Sequence, residues 1–207
     1  VFNGTGSNVV ALQLMTRPYP SIFCAETAHI YVDECGSPVK MTGCQIRPIA
    51  TPDGKLTPEL MQPYLHGFGD QHHSQPRALY ISQCTELGTI YTPEELKRLT
   101  DFAHLNGMYV HMDGARIANA CAALNLSLKE LTVDCGVDIL SFGGTKNGLM
   151  MGECVIVFNK DLQPEARFVR KQSAQLASKM RYLSCQFTAY LTDDLWLKNA
   201  SHALSLI

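Results

Sequence analysis

The segment that decides the fold is VDILSFGGTKNG, residues 137–148. Its apolar first third predicts a buried strand, and the glycines that follow predict a turn whose backbone can closely approach a bound group. Lys146 comes directly after this strand, where partial desolvation makes a lysine amine a better nucleophile toward carbonyl groups. Taken alone, the segment fits an exposed lysine on a glycine-rich turn better, and only the rest of the chain reverses that preference.

The remaining sequence alternates between strand and helix patterns. Short apolar runs predict strands at residues 21–24, 46–49, 77–82, 108–112, 137–140 and 153–158. Helices are predicted after Thr57 and Thr92, each followed by proline, at residues 117–124, and from about 164 to the end with one break. This order predicts an α/β fold, a mostly parallel sheet covered by helices on both faces.

Composition limits the classes of partner. The chain has 207 residues, 46% of them hydrophobic and 17% charged, and a net charge of −2. That charge gives no electrostatic footprint for nucleic acid, and no apolar run approaches the roughly 18 residues of a membrane span. Eight scattered cysteines without a C-x-x-C pair favour reduced thiols, and the absence of a signal peptide completes the expectation of a cytoplasmic protein.

Polar residues follow several of the predicted strands. His29, Gln83, Asp113 and Lys146 each come just after a strand. Because ligands of parallel sheets bind beyond the carboxyl ends of the strands, these four are expected to converge on one rim. Asp113 has an alternative role as the cap of the helix that follows it.

An anion site is expected near the start of the chain. Residues 2–8 read as a turn that precedes a helix over residues 9–15, and small residues at a helix start leave free N–H groups around Gly4, Thr5 and Gly6. A simple turn and cap explains the same residues equally well. The adjacent His72 and His73 suggest metal, but without further ligands at suitable spacing a solvated loop is favoured, and no metal site is assigned.

These elements together suit pyridoxal phosphate. That cofactor needs a lysine for its aldehyde, a carboxylate for its ring nitrogen, a planar group against the ring and amides for its phosphate. Lys146, Asp113, His29 and the turn at Gly4 and Thr5 supply one candidate for each.

Several stretches carry a family resemblance. They are TGSN (5–8), AHI (28–30), HMDGAR (111–116) and GGTKNG (143–148). In order and spacing they resemble the low-specificity L-threonine aldolases, in the beta-eliminating lyase group of fold type I pyridoxal-phosphate enzymes. The pair formed by the last two stretches at this separation is specific, whereas either one alone is not.

The resemblance implies a role for each site residue. Lys146 forms the Schiff base with the cofactor, Asp113 contacts the ring nitrogen, and His29 stacks on the ring and is a candidate for proton transfer. Arg116 lies near the phenolic oxygen and the substrate carboxylate. Gly4 and Thr5 hold the phosphate.

The resemblance also implies the reaction, a retro-aldol cleavage of L-threonine or L-allo-threonine to glycine and acetaldehyde by a carbon-carbon lyase. Two alternatives stay open. One is another fold type I pyridoxal-phosphate enzyme, a lyase or a decarboxylase acting on an amino acid. The other is a non-catalytic scaffold of the same fold.

Chain extent and assembly follow from the same resemblance. Residues 1–207 correspond to the cofactor-binding large domain, incomplete at both ends and without the C-terminal small domain that supplies a substrate-binding arginine. Relatives are homo-oligomers that complete the phosphate site from a neighbouring subunit. Lys171, Lys179 and Arg181 are the candidates for that role, or else exposed charges on a helix.

Overall fold

The computed structural model describes residues 1–206, and a six-stranded sheet lies at its centre. The strands are β1 (Pro20–Ala25), β2 (Gln45–Ile49), β3 (Gln75–Ser82), β4 (Tyr109–Gly114), β5 (Ile139–Gly143) and β6 (Glu153–Val157). They lie in the order β2-β1-β3-β4-β5-β6. The first five are mutually parallel, and β6 runs antiparallel to β5. The prediction of an α/β fold with a mostly parallel sheet is confirmed.

Helices cover both faces of this sheet. They are α1 (Gly4–Met15), α2 (His29–Val32), α3 (Ser37–Thr42), α4 (Pro58–Met61), α5 (Pro93–Leu105), α6 (Ile117–Leu124), α7 (Ala166–Gln172), α8 (Arg181–Leu191) and α9 (Leu195–Leu204). Helix α5 begins where the sequence predicts, because Thr92 and Glu95 form a reciprocal capping box. The helical pattern after residue 164 has two breaks instead of the one expected, at residues 173–180 and 192–194.

The alternation of side chains along the strands separates two cores. Val110 and Met112 of β4 point into a large apolar cluster with α5 and α6. The side chains of opposite parity lie on the face that α1 covers. Strand register aligns Tyr80 with His111, and Asp113 with Ser141, so these polar groups form neighbouring rows beneath α1. The site is therefore assembled on one face of the sheet, near the carboxyl ends of its strands.

Three predicted boundaries are wrong in detail. Helix α1 begins at Gly4 rather than at residue 9, because the Asn3 side chain caps it by accepting the N–H of Gly6 at 2.7 Å. Strand β4 extends through Asp113, which therefore lies inside the strand rather than after it. Strand β5 is shifted toward the glycines and ends at Gly143, which pairs with Glu153 of β6.

All eight cysteines are unpaired, and five of them are buried. Among the helices described for residues 1–206, none combines the length and the hydropathy that crossing a membrane requires.

Candidate active site

A cavity of about 420 Å³ lies at the carboxyl edge of the sheet. The six residues that the sequence assigns to the site all line it: Gly4, Thr5, His29, Asp113, Arg116 and Lys146. Gln83 does not. It is fully buried, and its side-chain amide donates to the Tyr91 carbonyl and accepts from the Tyr91 N–H. The prediction that Gln83 lies on the rim is therefore wrong. A second cavity of about 440 Å³, between β6 and helices α1, α7 and α8, is mainly apolar and contains none of the six.

Asp113 is a buried carboxylate that three donors hold in place. Its Oδ2 accepts from the Tyr80 hydroxyl at 2.6 Å and from the Asn8 amide at 3.1 Å, and its Oδ1 accepts from the Ala115 N–H at 2.9 Å. Burial by itself raises the pKa of Asp113, but these hydrogen bonds outweigh burial and hold the pKa below its ordinary value. Asp113 is thus an ionised acceptor at neutral pH, beside the cavity.

A polar row lies behind Asp113. His111 is fully buried, and burial lowers its pKa to about 4, so its ring is neutral. Its Nε2 lies 2.9 Å from the Ser141 hydroxyl, which in turn receives a hydrogen bond from Ser7 of α1 at 2.7 Å. This row connects α1 to β4 and β5 and fixes the helix over the site.

The start of α1 forms one end of the cavity, where its first backbone N–H groups are free. The N–H groups of Gly4 and Thr5 have no acceptor within residues 1–206, because they belong to the first helical turn and Asn3 caps only Gly6. A helix start with free N–H groups attracts anions, through both the donors and the helix dipole. Gly4 and Thr5 therefore offer a site for a phosphate group.

Lys146 lies in the short 3-10 turn Thr145–Asn147 that follows β5. Glycine is needed just before this turn, because a Cβ on Gly143 would lie 2.5 Å from the Ala115 Cα. Only glycine lets the end of β5 pass this close to the loop that carries Arg116.

The Lys146 side chain is exposed at the mouth of the cavity. The expected desolvation is therefore wrong for this chain, because the turn extends past the strand end and the described residues leave the lysine uncovered. No carboxylate within residues 1–206 forms a salt bridge with Lys146. Its side chain therefore reaches the cavity without a charged partner among the described residues.

His29 begins α2 and forms another side of the cavity. Its Nδ1 lies 2.9 Å from Glu34 Oε1, and its backbone N–H donates to Glu86 Oε1 at 3.0 Å. Glu86 also accepts from the Ser82 hydroxyl at 2.7 Å. Both the ring and the backbone of His29 are therefore anchored by carboxylates.

The three remaining basic candidates do not line this cavity. Lys171, Lys179 and Arg181 are all exposed, and the Arg181 guanidinium lies over the Tyr182 ring at 5.2 Å from its centroid. Their role at a neighbouring subunit stays a prediction.

The sequence assigns no role to most of the hydrogen-bond partners of the site: Asn8, Glu34, Tyr80, Ser82, Glu86 and Glu153. Two signals could have found some of them. Tyr80 and Ser82 are two positions apart in the strand next to Asp113, so their side chains lie on the same face of the sheet. Asn8 lies one helical turn after Gly4, on the helix assigned to the site. No local signal marks Glu34 or Glu153.

The sheet order and the cavity define the class: the fold is that of the large domain of fold type I pyridoxal-phosphate enzymes. The family model for beta-eliminating lyases matches residues 1–202, and the chain belongs to this family. The low-specificity L-threonine aldolase of Pseudomonas aeruginosa is 44% identical over 203 residues, covering 98% of this chain and 59% of that protein.

Two further relatives add to this finding. The structure of Leishmania major threonine aldolase superposes with a TM-score of 0.91 at 33% identity, covering 97% of this chain and 58% of that one. Alanine racemase TOXG of Cochliobolus carbonum is 30% identical over 83% of this chain and 44% of that protein. The chain thus spans well under two thirds of the length of these relatives.

Proposed function

We propose that the whole protein is a pyridoxal-phosphate-dependent aldolase that cleaves L-threonine and L-allo-threonine to glycine and acetaldehyde. The observation that carries this proposal is the meeting of Lys146, Asp113 and His29 with the start of α1 around one cavity. The 44% identity to an L-threonine aldolase over nearly the whole chain supports the choice of substrate.

The donors and acceptors of the cavity fit the cofactor. Asp113 is buried, ionised and held by three donors, which suits a carboxylate that receives a hydrogen bond from a protonated pyridine nitrogen. The free N–H groups of Gly4 and Thr5 suit a phosphate. The free amine of Lys146 suits an aldehyde, and the His29 ring supplies a planar wall. When bound, pyridoxal phosphate supplies an electron sink for the pair left on the substrate Cα.

The residues of the chain have separate tasks in this proposal. Asp113 keeps the cofactor nitrogen protonated, because it stays ionised at neutral pH. Arg116 lines the cavity with no hydrogen bond from its guanidinium to residues 1–206, so it is free to bind an anionic oxygen of cofactor or substrate. His29 accepts the proton of the substrate β-hydroxyl as the Cα–Cβ bond breaks. A proton returned to Cα then completes glycine, while acetaldehyde leaves.

A racemase is the second candidate, favoured by the 30% identity to alanine racemase TOXG. Racemisation also needs a proton transfer at Cα, but it breaks no carbon-carbon bond. The two candidates therefore differ in their products.

Product analysis tests the proposal. The whole protein is incubated with pyridoxal phosphate and L-threonine, L-allo-threonine, L-serine or L-alanine, and glycine, acetaldehyde and D-alanine are quantified. We expect glycine and acetaldehyde in equal amounts from both threonine isomers. Lys146→Ala should lose nearly all turnover, whereas Lys97→Ala, on the exposed face of α5 and paired with Asp101, should keep it.

Two outcomes contradict the proposal. D-alanine without glycine would assign a racemase, and full turnover in Lys146→Ala would remove this lysine from the reaction. Loss of turnover in both lysine variants would show that the effect is not specific to the cavity.

We further propose that residues 1–207 form the large domain of a cytoplasmic homo-oligomer. Eight unpaired cysteines support a reducing compartment. The exposed Lys171, Lys179 and Arg181 are available to a neighbouring copy, where they would complete the phosphate site. Light scattering of the whole protein tests whether it is an oligomer. Oligomers that mix a variant of Gly4 or Thr5 with a variant of Lys171, Lys179 or Arg181 test whether two copies share the phosphate site.

A further inference from the structure

Glu34 is a buried carboxylate outside the lining of the cavity. Its side chain has no exposed surface, and its Oε2 atom is buried without a hydrogen-bond partner within residues 1–206. Burying a carboxylate is costly unless strong partners compensate. The chain places Glu34 here through the short helix α2 and a left-handed turn at Cys35 and Gly36, with φ of 50° and 70°. Such a placement calls for a role.

The other oxygen of Glu34 lies in a chain of contacts. Oε1 accepts from the Asn8 amide at 2.7 Å and lies 2.9 Å from His29 Nδ1. The same Asn8 nitrogen also donates to Asp113 Oδ2 at 3.1 Å. Two carboxylates therefore share one amide group, and His29 is attached at the end.

The orientation of the Asn8 amide follows from these contacts. Asp113 is ionised and only accepts hydrogen bonds, so the NH₂ group must be the one between Glu34 and Asp113. The Asn8 carbonyl oxygen lies on the other side, where the Ser141 hydroxyl donates to it at 3.4 Å. With Oε1 already accepting from Asn8, its contact with His29 is most favourable when Nδ1 carries the hydrogen.

Several charged groups surround this pair. Burial, the largest effect, and the nearby Asp113 raise the pKa of Glu34, while the hydrogen bonds from Asn8 and His29 lower it, and the pKa is raised overall. From the loop after β3, Glu86 accepts the backbone N–H of His29. From α1, the group that faces the pair is the neutral Asn8.

We propose that Glu34 is a positioning residue that holds His29 in the Nδ1–H tautomer. The second ring nitrogen, Nε2, then carries the lone pair and is the proton acceptor available to the cavity that His29 lines. Asn8 joins this arrangement to Asp113, so that one amide fixes the position of the proton acceptor relative to the carboxylate for the cofactor nitrogen. The catalytic part of this inference rests on the proposed function, whereas the tautomer does not.

The tautomer is measured directly by ¹⁵N NMR of the histidine rings in the cofactor-free protein. The His29 signals are assigned by their loss in His29→Gln, and the spectra are recorded at a pH high enough that the ring signals no longer change with pH. We expect the Nδ1–H form in the wild type. Glu34→Gln keeps an acceptor oxygen and should keep this tautomer, whereas Glu34→Met removes the acceptor and should shift His29 toward Nε2–H. An Nε2–H wild type would overturn the proposal without any variant.

Kinetics of the cofactor-loaded whole protein give the second readout. Because a positioned general base contributes about 10²–10⁴-fold, we expect Glu34→Met to lower kcat for L-threonine by about 10–100-fold with a smaller change in KM. Glu34→Gln should lie between it and the wild type. Glu94→Gln, an exposed carboxylate on α5, is the control that should leave kcat unchanged.

The outcomes separate the two claims. If the wild type cleaves no threonine, the proposed function fails, but the tautomer result in the cofactor-free protein still decides the role of Glu34. If the wild type is active and Glu34→Met keeps both the Nδ1–H tautomer and kcat, the positioning role is refuted.

Discussion

The hydrogen bond from Tyr80 to Asp113 offers a quantitative test of the site. Tyr80→Phe removes one hydroxyl from a fully buried ring and leaves the ring volume unchanged. At 2.6 Å this is the shortest of the three hydrogen bonds to Asp113. Because a hydrogen bond to a charged group contributes about 1.5–3 kcal/mol, we expect the free energy of unfolding to fall by about 2 kcal/mol at pH 7.

The pH dependence of this loss follows from the direction of the Asp113 pKa. The folded-state pKa is depressed, so the stabilisation is present above the unfolded-state value of about 4 and is lost as the pH falls through the folded value. Tyr80 contributes to that depression. The penalty of Tyr80→Phe should therefore shrink toward the 0.5–1.5 kcal/mol of a neutral hydrogen bond, roughly 1 kcal/mol, once Asp113 is protonated.

Urea unfolding of the cofactor-free protein, from pH 7 down through the pH at which Asp113 becomes protonated in the folded state, measures both values. Tyr91→Phe is the matched control, since Tyr91 is equally buried and its hydroxyl accepts from the neutral Leu56 N–H at 2.7 Å. The control penalty should not depend on the protonation of any carboxylate. An equal penalty for Tyr80→Phe at both ends of the pH range, or one below about 0.5 kcal/mol at pH 7, would refute the charged hydrogen bond.

Two further predictions concern stability. Gly143→Ala should destabilise the cofactor-free protein by about 1–3 kcal/mol in thermal unfolding, because the added methyl meets the backbone of Ala115. Gly4→Ala, whose Cβ meets nothing within 4 Å, should change the stability little. Equal effects of the two substitutions would contradict the close approach. The hydrogen bond to Asp138 raises the pKa of His104, so this pair stabilises the fold below about pH 6.5 and the stabilisation is lost as the pH rises through the raised folded value. The stability difference between the wild type and His104→Gln should therefore shrink as the pH rises, and a constant difference would contradict the pairing.

The architecture could be predicted from the sequence because its signals are local. Thr92 with the proline and acids that follow it identifies the start of α5, and the helix over residues 117–124 has the predicted bounds. Short apolar runs located all six strands. The position of Asp113, Lys146 and His29 around one cavity follows from the general rule that parallel strands present their carboxyl ends at one edge.

The interactions that tune the site could not be predicted, because they join residues far apart in sequence. Asn8 and Asp113 are separated by 105 positions, and Asn8 and Glu34 by 26. The sequence predicts the wrong start for α1, because the capping residue Asn3 lies in a stretch whose composition is typical of a turn. Gln83 was misplaced because its position at a strand end gives no indication that its amide turns inward to the backbone of Tyr91.

Chemical trapping on Lys146 tests the central claim most directly. The whole protein is mixed with pyridoxal phosphate, reduced with borohydride and digested, and the modified peptide is identified by mass spectrometry, with the absorbance spectrum recorded before reduction with and without L-threonine. We predict one phosphopyridoxyl group per chain on Lys146, an absorbance change on adding L-threonine, and no stoichiometric label in Lys146→Ala. Stoichiometric labelling of another lysine in the wild type, with Lys146 unmodified, would contradict the account.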